Sequence, residues 1–332
     1  MIKRTKSFKT LVGVFLLVAT TTLSGCGSGA TEGPSGFGGG SSNNSNGGGS
    51  TASTLTEEGG RNTVSDTLLP DAPGTEVLSN DVVSLDISNV SDGYFTLDYS
   101  GSAEKVQIQI TYPDGTVYPY PLNLGAPRVF PLTGGDGSYK VDVLEHVQDN
   151  MYSIGFSDSF SVSLTDEFRP FLYPNQYVEY TASSPTTTLA AQLSDKSADD
   201  LGYVANVYNY VVDNVVYDEE LAANIGTNYI PDPASTLASK KGICFDYASL
   251  MCALLRSQQV PTKLVVGYSG TAYHAWISVY ISEIGWVDNI IEFNGSNWSL
   301  MDPTLAANKA NSSSAVKEYV GDGSNYTVKY NY

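Results

Sequence analysis

The chain of 332 residues is 41% hydrophobic and strongly acidic, with 35 Asp and Glu against 17 Lys and Arg. That length suits one large domain, or two modest ones with a tail. The charge argues against a nucleic-acid partner and against attraction to anionic lipid headgroups, since phosphate repels an acidic surface. Its simplest role is solubility. No apolar run beyond residue 25 approaches the ~18 residues that span a bilayer.

The first nine residues, "MIKRTKSFK", carry Lys3, Arg4, Lys6 and Lys9 and read as a basic leader. "TLVGVFLLVATTTL" follows, an apolar stretch of signal-peptide length, and then "LSGC", Leu23 to Cys26. Small residues before a cysteine at that place look like a bacterial lipoprotein processing site. The resemblance implies cleavage after residue 25 and two acyl chains on Cys26, enough for durable anchoring on the extracytoplasmic face of the cell membrane. Without the leader, 13 basic residues face 35 acidic ones, a net charge of −22. Residues 27–60 are low-complexity Gly, Ser, Asn and Thr, unable to bury enough apolar surface to offset ordering entropy. The expected division is a signal peptide at 1–25, an anchored linker at 26–75, a β-sandwich at 76–166 and a second domain at 167–332.

From residue 77 the pattern becomes that of strands. "VVSLDISNV", "YFTLDYSG", "KVQIQITYP", "SYKVDVLEHV" and "FSVSLTD" alternate apolar and polar residues, separated by "SDG", "YPDG" and "TGGDG". Short strands with no helical period between them predict a small antiparallel sandwich, Ig-like in outline but without the Cys…Trp…Cys signature. His146 has no second ligand at metal spacing and is read as an ordinary strand or turn residue.

After residue 168 the period changes. Apolar residues at 201, 204, 207, 208, 211 and 215 predict an amphipathic helix beginning near Ser197. "PDPASTLASKKG" reads as a turn and a short helix. "GICFDYASLMCALLRSQ" predicts a helix over 244–257, with Leu250, Ala253 and Leu254 buried. "TKLVVGYSG", "YHAWISVYI" and "NWSLMDPTL" read as strands. A helical layer followed by an antiparallel sheet makes the fold class α+β.

The chemistry is expected around Cys244. It stands in the first turn of that helix, where unpaired N–H groups and the helix dipole favour a thiolate. Gly242 is expected to let the chain turn sharply into the helix. Cys252, two turns and ~12 Å further on, is beyond disulfide reach and reads as a core residue. His274 shares a strand face with Trp276, Ser278 and Tyr280, which would shield it as a base. Asp302, before Pro303, is placed to orient the imidazole, with Asp288 as its rival. Asp246 reads as a residue stabilising the helix start.

In this order, "GICFDYASLMCALLRSQQVPTKLVVGY", "HAW" and "WSLMDPT", with Tyr217–Asp218 closing the preceding helix, the chain resembles the transglutaminase-like superfamily over about 185–305. The resemblance implies a papain-like core and a triad of Cys244 as nucleophile, His274 as acid and base, and Asp302 as orienter. It implies an enzyme acting on amide bonds of protein or peptidoglycan-peptide substrates, with hydrolysis favoured over crosslinking because no Trp precedes Cys244. No metal and no organic cofactor is implied, and a monomer is expected. The rival reading is a surface binding or adhesion lipoprotein that uses the same fold without chemistry.

Overall fold

The structure is a computed structural model that describes residues 61–64, 66–269, 271–282, 285–288, 291–293, 298–300 and 326–332. The alternating segments form two antiparallel four-stranded sheets. One runs in the order β1 (Val77–Ser79), β2 (Val83–Asp86), β3 (Tyr94–Tyr99), β6 (Arg128–Pro131); the other in the order β5 (Val117–Pro121), β4 (Val106–Thr111), β7 (Gly137–Gln148), β8 (Met151–Val162). In β4 the buried residues are Val106, Ile108 and Ile110, while Gln107, Gln109 and Thr111 lie further out. That is the two-residue period of a half-buried strand. Rings from the two sheets meet between them: Phe95 packs edge-on to Phe160 at 5.7 Å, and Tyr120 to Phe130 at 5.1 Å. Strands β5 and β6 were not anticipated, because Pro119, Pro121 and Pro131 interrupt their sequences. Both are edge strands, where proline costs no ladder hydrogen bond. His146 contacts the Asp149 carbonyl through Nε2 at 2.9 Å at the β7–β8 hairpin tip, as suits a turn residue.

Residues 61–64, expected within the linker, are docked. The Arg61 guanidinium reaches Asp200 Oδ1 (2.6 Å), Ser194 Oγ (2.7 Å) and the Gln258 carbonyl (2.6 Å), and lies over the Tyr203 ring. Val64 N–H donates to Gln258 Oε1.

The second half begins with α1 (Pro185–Ser194) and α2 (Asp200–Asn214). Helix α2 starts later than Ser197: Asp199 is the cap, its Oδ1 accepting from Gly202 N–H, whereas the Ser197 hydroxyl donates to the Leu193 carbonyl at the end of α1. The chain continues through β9 (Val216–Tyr217), α3 (Glu219–Asn224), α4 (Pro233–Ser239) and β10 (Lys241–Gly242), with β10 parallel to β9. Helix α5 (Cys244–Ser257) follows. Every residue from Asp246 to Ser257 is buried, so α5 is a central helix rather than the one-sided helix its pattern suggested. It packs against α1, α2 and α4 and against β11 (Thr262–Ser269) and β12 (Ala272–Ile281).

The sheet behind α5 is antiparallel, in the order β13 (Gly285–Val287), β12, β11, β16 (Tyr326–Asn331). The expected third strand lies elsewhere. Trp298–Leu300 is β15, paired antiparallel with β14 (Ile291–Phe293) in a separate two-stranded sheet. Its place beside β11 is taken by β16, whose pairing slips between Val266 and Gly267. The two halves share one continuous core. Tyr332 packs on Tyr118, Tyr120 and Tyr177, and Thr133 Oγ1 donates to the Asn331 carbonyl.

Two outcomes follow for stability. Arg61→Ala removes a buried charged donor to three acceptors and should lower stability by about 1–3 kcal/mol in urea unfolding. Gly267→Ala would place a Cβ 2.0 Å from the Thr327 carbonyl oxygen. It should cost about 1–3 kcal/mol and loosen β16, read as faster amide exchange in residues 326–331.

Candidate active site

The approach to Cys244 is held by backbone. Val216 N–H donates to the Lys240 carbonyl and Asp218 N–H to the Gly242 carbonyl, both at 2.9 Å, tacking β10 to the end of α2. Asp218, in the "YD" pair, caps α3 by accepting from Leu221 N–H and pairs with Lys241 at 3.0 Å. Ile243 then precedes the helix in extended conformation (φ −103°, ψ 179°), and Cys244 is the first helical residue.

Asp246 fixes that start. Its Oδ2 accepts from Ile243 N–H at 2.9 Å, and its Oδ1 accepts from the Tyr229 hydroxyl at 2.6 Å. Ile243 has no side-chain oxygen to cap the helix, so the carboxylate reaching back does that work alone. Burial pushes the Asp246 carboxyl above the usual carboxylate range; the bonds from Tyr229 and Ile243 oppose this, and Asp218 and Asp232 add to it. Gly242 serves a different purpose from the one expected. It does not adopt a left-handed turn; a Cβ there would lie 2.7 Å from the Asp246 Cβ. Glycine is needed for close approach, not for a bend.

The two cysteines on α5 differ as expected. Cys252 is fully buried, and burial pushes its thiol up to about 12. Cys244 is partly exposed, as is Phe245 beside it. Around this end of the helix lie aromatic rings. Tyr177 packs on Phe245 at 5.2 Å, and the Tyr273 phenol lies within electrostatic reach of the Cys244 thiol. Burial pushes the Tyr273 hydroxyl above the ordinary tyrosine range, and Tyr330, Tyr268 and Cys244 reinforce the shift.

His274 is the next residue along β12. It pairs with Gly267, is 4% exposed, and its ring lies 6.3 Å from Trp276 at 23°. The imidazole is thus shielded from water, with Trp276 on the same face of the strand. Tyr273 stands on the opposite face of the strand from His274, as alternation requires. Strand β12 therefore brings its beginning to the helix end that carries Cys244.

Asp302 lies outside the described residues. Its rival Asp288 follows β13, where Val287 pairs with Val279. Continuing that register sets Asp288 level with Ser278, four residues from His274, ~13 Å along an extended strand. Asp288 is exposed and acts on Lys263. It is therefore out of reach of the imidazole. Tyr229 and Tyr273 were not singled out from sequence, although Tyr273 directly precedes "HAW"; only the fold brings Tyr229 to Asp246 and Tyr273 to Cys244.

Residues 187–289 match the family model described as the Transglutaminase-like superfamily. UPF0252 protein MJ1282 of Methanocaldococcus jannaschii is 30% identical over 135 residues, covering 37% of this chain and 38% of that protein. The uncharacterized protein YebA of Bacillus subtilis is 26% identical over 140 residues, 35% of this chain and 19% of that one. The chain thus spans well under half the length of the curated relatives it matches. Among solved structures, a candidate cysteine protease from Cytophaga hutchinsonii aligns over 78% of this chain and 74% of its own, at 15% identity and a TM-score of 0.35. The helix-start cysteine and the histidine of β12 both fall inside the matched segment, and residues 187–289 are a domain of the transglutaminase-like superfamily.

Proposed function

We propose that the protein is a membrane-anchored, extracytoplasmic thiol enzyme that cleaves amide bonds in protein or cell-wall peptide. The observation that carries this is the placement of Cys244. It is the one cysteine among the described residues at a helix start and partly open to solvent, in a domain of a family that includes thiol enzymes. A helix N-terminus offers unpaired N–H groups and a positive potential, both of which favour the nucleophilic thiolate.

In this reading the Cys244 sulfur attacks the carbonyl carbon, forming a C–S bond and a tetrahedral oxyanion. The Cys244 N–H, in the first turn of the helix, is the donor to the developing charge. The imidazole of His274, having taken the thiol proton, passes it to the nitrogen of the leaving amine as the C–N bond breaks. Water then adds to the thioester, giving up its proton through His274, and releases a carboxylic acid. Asp302 orients the imidazole. Hydrolysis is favoured over transfer to a lysine amine, since no indole precedes Cys244 to supply a second donor. Anchoring is proposed through acyl chains on Cys26. The second reading, a binding module of the same fold, is favoured by the aromatic rings around the helix end and requires no reactive thiol.

Iodoacetamide labelling across pH, read by mass spectrometry, separates the two. Cys244 should be alkylated well below pH 8 while Cys252 stays unmodified, and His274→Ala should slow Cys244 at least ~10-fold. Slow and equal modification of both thiols would favour the binding module. Profiling peptides from wall and exported proteins with wild type and Cys244→Ala then identifies the bond cut.

A further inference from the structure

We infer that Asp246, braced by Tyr229, is a positioning residue that aims the Cys244 N–H at the substrate carbonyl. This deepens the proposed activity and rests on Cys244 being its nucleophile.

A trans peptide unit is planar, so fixing one of its groups fixes the other. The unit joining Ile243 to Cys244 carries the Ile243 carbonyl and the Cys244 N–H pointing in opposite directions. The Ile243 carbonyl accepts from Tyr247 N–H at 3.0 Å, along the helix. The Cys244 N–H must therefore point out of the helix start. What sets the rotation of this unit is residue 243 itself. Its own N–H is held by Asp246 Oδ2 at 2.9 Å, and the carbonyl before it by Asp218 N–H at 2.9 Å. Three hydrogen bonds thus pin the two peptide units leading to the sulfur.

Asp246 is the member that is not backbone, and it is held on two further sides. The Tyr229 hydroxyl donates to its other oxygen at 2.6 Å, and Gly242 packs so closely on its Cβ that no side chain fits between. A carboxylate is costly to bury. Near a thiolate it is also electrostatically unhelpful, because like charge disfavours the nucleophilic form. Charge therefore does not explain a carboxylate two residues from Cys244, whereas geometry does. Misplacing a catalytic group by about 1 Å can cost ~100-fold in rate.

Two reagents divide aim from nucleophilicity. Alkylation by iodoacetamide displaces iodide at a saturated carbon and forms no oxyanion. Acylation by p-nitrophenyl acetate passes through a tetrahedral oxyanion and needs the donor. In the full chain, Asp246→Ala should lower the rate of Cys244 acylation at least ~10-fold, while alkylation stays within ~3-fold of wild type. Asp246→Asn should restore acylation, since its amide oxygen still accepts from Ile243 N–H and its NH2 can donate to the Tyr229 oxygen. Tyr229→Phe, which leaves the carboxylate in place, should give a smaller loss of acylation alone. Continued protection of Cys252 from both reagents reports that each variant is folded. The inference is overturned if Asp246→Ala acylates at the wild-type rate, or if both reactions fall together in a folded protein. A wild type in which Cys244 takes up neither reagent would instead overturn the nucleophile assignment on which the inference rests.

Discussion

The enclosure of α5 is the constraint on which the rest depends. A helix buried from Asp246 to Ser257 has no freedom to slide or rotate, because close-packed neighbours on every side would have to move with it. Helices α1, α2 and α4 cover it on one side and strands β11 and β12 on the other. Its far end is locked by Arg256, which is fully buried. The guanidinium donates to the carbonyls of Thr262 (2.8 Å), Tyr173 (3.0 Å) and Tyr332 (2.6 Å). A desolvated cation is tolerated only when its donors are matched, and these three acceptors come from three different parts of the chain. One side chain thereby joins the central helix, the start of the sheet, the segment leading from the sandwich and the residue following β16. With that end fixed, the position of the other end, and so of the Cys244 sulfur, is decided.

The same packing makes the sandwich more than an appendage. Tyr177 lies 5.4 Å from Tyr120 of the sandwich, 4.9 Å from Tyr332 and 5.2 Å from Phe245, next to the thiol. Aromatic rings bury large areas with few rotatable bonds, so a cluster of them makes a stiff joint. The phenols of Tyr120, Tyr177 and Tyr332 are pushed up by burial and stay neutral, so the joint carries no charge at ordinary pH. A spacer that only lifted the second half from a surface would need no such contact with the wall of the site. The docking of Arg61 onto α1 and α2 adds a second fastening, at the opposite end of α5 from Cys244.

The two thiols of α5 show how little of a cysteine's behaviour resides in the residue. They share a helix and differ by two turns. Cys252 is enclosed by the core, which opposes ionisation by desolvation, and it packs as a small apolar group. Cys244 is the first residue of the helix, at the positive end of its dipole, and is partly exposed. The surrounding carboxylates are spent on structure: Asp218 and Asp232 cap short helices, and Asp246 caps α5.

Much of the fold was legible because it is written in local periods. Alternation in "KVQIQITYP" marked β4, and the glycine and cysteine before an apolar run marked the start of α5 within its true first residue. Strands broken by proline were missed, since whether proline is tolerated depends on which strand lies at an edge, a property of the whole sheet. Strand β16 was missed because its worth lies in partners more than fifty residues away along the chain. Residue type and short spacing were enough for the α+β class, the helix beginning at Cys244, the unequal standing of Cys244 and Cys252, and His274 on its strand. Tertiary structure alone decided that Asp288 faces Lys263 rather than the imidazole, that Gly242 exists to admit Asp246, and that Tyr229 braces that carboxylate. These are contacts between segments whose distance in space no local pattern records.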